Sequence, residues 1–363
     1  MRLCEERGEP ASLVTPFSRS RAVAAPLFGV RRVVGRLSGD LNVAWYRYWH
    51  FRFLRHALLH ELRGSTETVV YASCPLSARA ALEARRSPLQ RVVMAVHFDT
   101  SQADEWVDKG QVERDGAVYS RIRELERCVL PSLDGIVYLS ASAMHALRSW
   151  LPEVARVPST TIPNFVHSRG PDIAPDGRKR DLISVGSLEA AKNHAFLLHV
   201  IAQANRLGHR YTLDIAGAGP CRSDLERLSK TLGLRDQVRL LGYRSDVRGL
   251  LPGYRAYAHS SRREVMGMAA IEALAAGLPV VAAPVGGFPE IVEPGVEGLF
   301  WSLADPEGAA NILVRLLEDE SAREKMAAAA RARFERQLSA EAAGPRLLDF
   351  LLRGAVVQPV ATA

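Results

Sequence analysis

Four cysteines, Cys4, Cys74, Cys128 and Cys221, are spread over 363 residues without pairing or metal-ligand spacing. That scatter argues against a disulfide framework and makes a reducing cytosol the simplest setting. No apolar run reaches the length that spans a bilayer, and the N-terminus lacks the basic, apolar and small-residue succession of a secretory signal. The expected localisation is therefore cytoplasmic, with room for a peripheral position on the inner face of the cytoplasmic membrane. Histidine, cysteine and aspartate are nowhere grouped at ligand spacing, so the expected metal is none. No nucleic-acid motif occurs, and Gly217-Ala218-Gly219-Pro220 lacks the full dinucleotide fingerprint. Lysine is scarce too: five residues, against a formal charge of +7 that rests almost wholly on arginine.

What is present is a globular composition, 47% apolar and 24% charged, on a chain long enough for two domains of ordinary size. A basic protein attracts anionic partners such as nucleotide sugars, anionic lipid surfaces and nucleic acid, and charge alone does not choose among them.

The chain is organised around residues 258–300. Glu264 and Glu272 lie eight positions apart in a small, apolar segment with Gly267 between them. Met268 to Ala276 has the composition of a buried helix, stopped by Gly277 and Pro279. Leu278 to Ala283 suits a short strand, and Pro289 and Glu290 open the next helical stretch. A carboxylate on an apolar helix is costly unless it is paired, so Glu272 needs an explanation. It is either tied to Arg262, Arg263 or loop amides, or it accepts ligand hydroxyls at the mouth of an α/β crevice.

Glu264, Gly267, Glu272, the run EALAAGLPVVA from Glu272 to Ala282, and GGFPEIVEPGVEGL from Gly286 to Leu299 resemble the donor-binding signature of retaining GT-B glycosyltransferases. The group is the large family 4 type, glycosyl transferases group 1. Several matches in fixed order over some forty residues are far more specific than a lone glycine fingerprint. The resemblance extends more weakly from Val69 to Leu352. It implies an α/β fold of GT-B architecture, two Rossmann-like parallel-sheet domains facing across a cleft.

In chain order, residues 1–167 are expected to form an N-terminal acceptor-side domain, with Ser12 to Thr15 a short strand. The first strand, glycine-rich turn and long helix usual in the resembling family are not recognisable. Residues 45–63 interleave tryptophan, tyrosine and phenylalanine with arginine. They suit an amphipathic helix packed on the sheet, a peripheral membrane or lipid-acceptor contact, a dimer contact, or base stacking. Thr68 to Ala72 and Arg91 to Val96 read as buried parallel strands, the second delivering His97 and Asp99 to a carboxyl-terminal sheet edge. Ser101 to Lys109 reads as an acidic mobile loop whose Asp104, Glu105 and Asp108 could, like Asp99, meet acceptor hydroxyls. Residues 168–180 are a polar linker. Residues 181–335 alternate strands and helices as a second, nucleotide-sugar-binding domain. Residues 336–353 resemble the terminal helix that returns to the first domain, and 354–363 are a frayed tail.

The resemblance implies a donor site of Gly186, Ser187, Lys192, Gly217, Gly242, Tyr243, Arg263, Glu264, Met266, Gly267, Met268 and Glu272. Lys192 would grip the diphosphate, Glu264 and the Met266 to Met268 amides would hold sugar hydroxyls, and Glu272 would accept from the ribose. His97, Glu264 and Lys192 are the catalytic candidates, and His97 and Asp99 the acceptor-side ones. Ser187 stands where the family pattern has arginine, so either Arg244, Arg262 or Arg263 compensates or phosphate binding is weaker. The expected activity is metal-independent retaining hexosyl transfer from a UDP-sugar, ahead of a GDP-sugar, to a glycan, lipid-linked or small-molecule acceptor. No cofactor is expected to be permanently bound. A related synthase using a phosphorylated acceptor, and a noncatalytic sugar-nucleotide-binding or membrane-associated protein, are the alternatives. The sequence does not specify an oligomeric state.

Overall fold

The structure is a computed structural model of the chain and describes residues 2–19, 21–30, 34–35, 38–64, 67–168 and 180–353. Most of the expected linker 168–180 and the expected tail 354–363 lie outside the described residues. The chain divides into two compact units, Met1–Ile162 with Pro345–Ala363, and Pro163–Gly344.

In the first unit, β1 (Thr68–Ala72), β2 (Gln90–Val96), β3 (Gly135–Tyr138) and β4 (Ser159–Thr161) form a parallel sheet in that order. Their valine-rich runs suit strands covered on both faces, since parallel sheets carry helices on each side. Val92, Met94, Val96, Ile136 and Tyr138 share one core with Leu54, Leu58 and Leu62 of the helical region 39–62 and with alanines of the helix Pro75–Ala84. The end of the helix Ala340–Arg353 belongs to this unit: Phe350 is buried against Gly135, and Arg91 donates to the Leu351 carbonyl at 2.9 Å.

Four sequence expectations change here. Ser12 to Thr15 is not a strand, and among the described residues no strand precedes Thr68. Pro16 has no N–H to give a ladder, and Thr15 instead closes a turn, its carbonyl accepting from the Ser18 amide at 3.1 Å. Ser101 to Lys109 is not a loop but the helix Gln102–Asp108, capped by Ser101 and with Asp104 and Glu105 favoured in its first turn. Asp104 is not free for an acceptor, because it takes Arg114 at 3.0 Å, the Tyr119 hydroxyl at 3.1 Å and Arg123 at 3.4 Å. Residues 163–167, placed by sequence in the first domain, belong to the second unit. Val166 donates to the Leu338 carbonyl at 3.2 Å and accepts from the Ala340 amide at 2.9 Å.

The aromatic residues of the helix Gly39–Glu61 are largely spent on packing. Trp45 donates to the Leu27 carbonyl at 2.9 Å, Phe28 meets Tyr46 edge-on at 5.9 Å, and Trp49 stacks on Phe53 at 5.6 Å. Tyr48 remains exposed, with Arg52 over its ring. Among the described residues no helix is long and apolar enough to cross a membrane.

The second unit holds a six-stranded parallel sheet in the order β10-β9-β8-β5-β6-β7. Its strands are β5 (Arg180–Val185), β6 (Leu213–Ala216), β7 (Val238–Gly242), β8 (Tyr254–Ala258), β9 (Val280–Ala282) and β10 (Gly298–Phe300). From β5 the chain winds outward through β6 and β7, then returns to the other side of β5 and winds outward again through β8, β9 and β10. The order therefore reverses between β5 and β8. Loops leaving the carboxyl ends of those two strands must diverge and leave a crevice, which is where open α/β sheets bind ligands.

One buried carboxylate in the first unit escaped the sequence reading. Glu126 is fully buried on the helix Ala117–Val129, accepting from Ser101 Oγ at 2.6 Å and the Gln102 amide at 2.7 Å. Burial outweighs these bonds and pushes its carboxyl from 4.5 up to about 7. Between those values the native chain keeps a proton that the unfolded chain has released, so stability falls as pH rises through the window, by up to about 3 kcal/mol. Urea unfolding followed by tryptophan fluorescence at pH 5 and pH 8 checks this. The stability difference between the parent and Glu126→Gln should change across that interval; a difference independent of pH contradicts the assignment.

Candidate active site

The loop after β5 begins at Gly186 and runs through Ser187 into a short 3-10 turn, Ala190–Lys192. Asn193 then takes a left-handed conformation, φ 52°, and the helix His194–Arg206 starts without a side-chain cap. No side chain caps its first turn, where the Phe196 amide donates to the Asn193 carbonyl at 3.0 Å and the helix dipole favours an anion. The loop after β6 lies directly on this one. A Cβ at Gly217 would overlap the Gly186 carbonyl, and one at Gly219 would overlap Leu188. Leu188 donates to the Ala218 carbonyl at 3.0 Å, and Gly217 donates to Gly242 at the end of β7 at 2.8 Å.

β8 delivers the other wall. Tyr257 lies within the strand, and His259 follows its end. The loop onward from His259 is stitched to the Lys192 turn: Ser260 Oγ donates to the Lys192 carbonyl at 2.9 Å, and the Arg262 amide to the Ala191 carbonyl at 3.0 Å. Those bonds bring Lys192 Nζ to 2.6 Å from Glu264 Oε2, and His259 Nε2 lies 3.4 Å from the same oxygen. Glycines support the loop from beneath. Gly286, at φ 55°, leaves no room for a Cβ beside the Glu264 carbonyl, and Gly287 donates to Val265 at 3.1 Å. Gly267, at φ 71°, opens the helix Met268–Ala275, with the Phe288 ring against the position a Cβ would occupy.

The electrostatics follow from this packing. Burial works against ionising Glu264, but His259 and Lys192 outweigh it and hold its carboxyl down at about 2. His259, only 4% exposed, is pushed below the ordinary histidine value by burial, with Lys192 adding to the effect and Glu264 opposing it. His194 is lowered to about 4 by burial, then by His259 and Lys192. Glu272 is raised by burial, and the cation opposing the shift is Arg248, not Arg262 or Arg263.

Gly186, Ser187, Lys192, Gly217, Glu264, Met266, Gly267 and Met268 lie on the loops or first helical turns that follow the strands of this sheet, Gly242 ends β7, and Glu272 is in the second turn of the helix Met268–Ala275. Met266 is buried, so only its main chain can face a ligand, whereas Met268 is 43% exposed. Tyr243 is 79% exposed beside Gly242, and Arg263 is exposed in the Glu264 loop. Of the arginines that could compensate for Ser187, Arg244 is already held by Asp246 at 2.7 Å. Arg262 has its main chain on the Lys192 turn and its side chain exposed. His97, exposed, and Asp99, partly buried, follow β2 in the first unit. Sequence reasoning missed His259 and His194. The available signal was a polar, titratable side chain one residue beyond an apolar strand, and another at the first position of a helix after a lysine.

Residues 171–333 match the family described as glycosyl transferases group 1. The matched stretch lies within the second unit. Among curated relatives, an alpha-D-kanosaminyltransferase from Streptomyces kanamyceticus is 31% identical over 168 residues, 46% of this chain and 44% of that protein. The chain spans about half the length of the first curated relatives it matches. Among solved structures, sucrose-phosphate synthase from Thermosynechococcus elongatus superposes with a TM-score of 0.70 at 20% identity, covering 85% of this chain and 80% of that one. Anabaena HepE, solved with UDP and glucose, gives 0.65 at 21% identity, covering 82% and 80%. These likenesses give the fold: two Rossmann-like units of the GT-B type.

The glycine packing is directly testable. Gly286→Ala should lower the thermal midpoint, because the Cβ displaces the Glu264 backbone. Gly249→Ala, which has open space and ordinary φ within a helical turn, should leave the midpoint unchanged or slightly raised. Differential scanning fluorimetry of the two variants measures the contrast, and equal midpoints would contradict the packing argument.

Proposed function

We propose that this chain is a retaining glycosyltransferase that moves a sugar from a nucleoside-diphosphate sugar to an acceptor hydroxyl, with UDP the preferred base. The observation that carries the reading is the pairing of Lys192, just before the uncapped start of the helix His194–Arg206, with Glu264 at the switch point of the second sheet. A donor diphosphate needs positive charge that grows in value as the sugar-phosphate bond breaks. An ammonium that can leave its carboxylate partner, together with helix-terminal amides, supplies it in this reading, and the mechanism is metal-independent. Glu264 then receives the sugar hydroxyls. Glu272, on the next helix, is assigned to the ribose hydroxyls, and Gly217, Gly242 and exposed Tyr243 border the base.

Retention of configuration follows from same-face attack, in which the departing diphosphate takes the acceptor proton. Glu264 and Glu272 act as binding groups in this scheme, not as a hydrolytic acid/base pair. UDP is placed ahead of GDP because a structural neighbour, Anabaena HepE, was solved with it. His97 and Asp99 are assigned to the acceptor side, and the acceptor is a glycan, a lipid-linked sugar or a small molecule. Exposed Tyr48, Arg52, His56, His60 and Arg63 are the basic and aromatic part of residues 45–63 available for a peripheral membrane contact. A second reading, a nucleotide-sugar binder without turnover, is favoured by Ser187, which supplies a hydroxyl where a charge would help the leaving group.

Isothermal titration with UDP and initial-rate kinetics with UDP-sugars test the assignment. Lys192→Ala and Glu272→Gln should each weaken UDP binding roughly tenfold or more, about 1.4 kcal/mol or above, as loss of a charge-assisted contact does. Lys192→Ala should also depress turnover. Unchanged UDP affinity in both variants would remove the site, and tight binding with no transfer to any acceptor in a broad screen would favour the binder.

A further inference from the structure

Three features around Glu264 do not belong to donor contacts as such: a histidine buried against its carboxylate, a tyrosine behind that histidine, and a backbone carbonyl behind the tyrosine. His259 Nε2 lies 3.4 Å from Glu264 Oε2, its Nδ1 lies 3.1 Å from the Tyr257 hydroxyl, and that hydroxyl lies 3.4 Å from the Val185 carbonyl. A carboxylate facing Nε2 requires a proton there. In the neutral ring Nδ1 is therefore bare and accepts from the Tyr257 hydroxyl. In the charged ring Nδ1 carries a proton as well and donates to the tyrosine oxygen, whose own proton turns to Val185. Nδ1 therefore has a hydrogen-bond partner in either protonation state of His259 without a heavy atom moving, whereas buried Nε2 makes no hydrogen bond and faces Glu264 Oε2 at 3.4 Å.

The neutral state fits the chain without ligand. The titratable and charged groups facing His259 are Glu264 from the following loop, Lys192 from the turn after β5, His194 from the adjoining helix and Tyr257 from its own strand. With Lys192 at 2.6 Å, the charge of Glu264 is already matched, and a cationic imidazole would be a second positive group in a buried place. That balance changes if Lys192 transfers to a diphosphate, because Glu264 then keeps its negative charge and loses its nearest cation.

We propose that His259 is a positioning residue for Glu264 that takes up a proton from solvent when Lys192 leaves Glu264 for the donor diphosphate, so that donor binding and protonation of His259 are one event. The inference rests on the assignment of Lys192 to the diphosphate. Its consequence is that Glu264 stays ionised and aimed at the sugar pocket in both states: Lys192 holds it before the donor arrives, and His259 holds it afterwards. The proton balance is closed, with one proton entering from solvent per donor bound and returning on product release. His194 is held by the same burial and the same lysine, so it is the control for any uptake not due to His259.

The test is calorimetric titration of the full chain with UDP at pH 7 in phosphate, HEPES and Tris, whose different ionisation enthalpies report protons exchanged on binding. Comparison with variants cancels the contribution of the nucleotide's own phosphate. Relative to the parent, His259→Gln should lower the uptake by roughly half a proton or more while retaining UDP binding. Lys192→Ala should lower it similarly, because His259 is then charged before UDP arrives. His194→Asn should leave most of the uptake in place. Equal proton numbers in parent and His259→Gln with UDP still bound would overturn the proposal and leave the donor site standing. A parent that binds neither UDP nor GDP would overturn the donor site and the proposal with it.

Discussion

The ion pair between Lys192 and Glu264 is the contact on which the second unit's site depends. The two residues lie 72 positions apart and reach 2.6 Å only because the loops after β5 and β8 are tied together at Ser260 and Arg262. Each loop carries a charge that its own strand cannot satisfy. A half-buried ammonium and a largely buried carboxylate would each cost several kcal/mol alone. Together they link the two loops at the sheet's switch point, and the loop from His259 to Gly267 takes its course from them. Gly217 and Gly286 serve the same end, since their missing side chains let one loop lie on the next.

This arrangement gives the site a chemical character before any ligand is considered. Positive charge comes from one flexible ammonium and one helix terminus, both adaptable to a diphosphate. Negative charge comes from two glutamates in different states. Glu264 is strongly ionised by His259 and Lys192, whereas Glu272 is drawn toward the neutral form by burial with Arg248 as its counterweight. A pair of carboxylates so differently held suits two binding tasks on one ligand better than a symmetrical acid/base exchange.

Much of the architecture was legible in residue patterns. Apolar runs bounded by polar turns located β1, β2 and β5, and Gly277 with Pro279 located the end of the helix at Met268–Ala275. Patterns failed where tertiary contacts decide. Ser101 to Lys109 looked like a loop because its charges are dense, yet Asp104 there gathers two arginines and a tyrosine from beyond its own helix. The aromatic and arginine mixture at 45–63 looked equally suited to lipid and to packing, and only the facing helix Arg21–Gly29 shows where the rings go. Of the site, the residue types near Glu264 and Glu272 were visible through a family resemblance. The pairing of Glu264 with Lys192, and the histidine behind it, arise from a crossing of loops that no local spacing records.

The account stands on an exchange of partners by one lysine, and a crystal structure of the chain with UDP observes it directly. The expected result is density for the diphosphate at the start of the helix His194–Arg206, with Lys192 Nζ on a phosphate oxygen and His259 within hydrogen-bond distance of Glu264. Lys192 still on Glu264, with the diphosphate bound elsewhere, would contradict it.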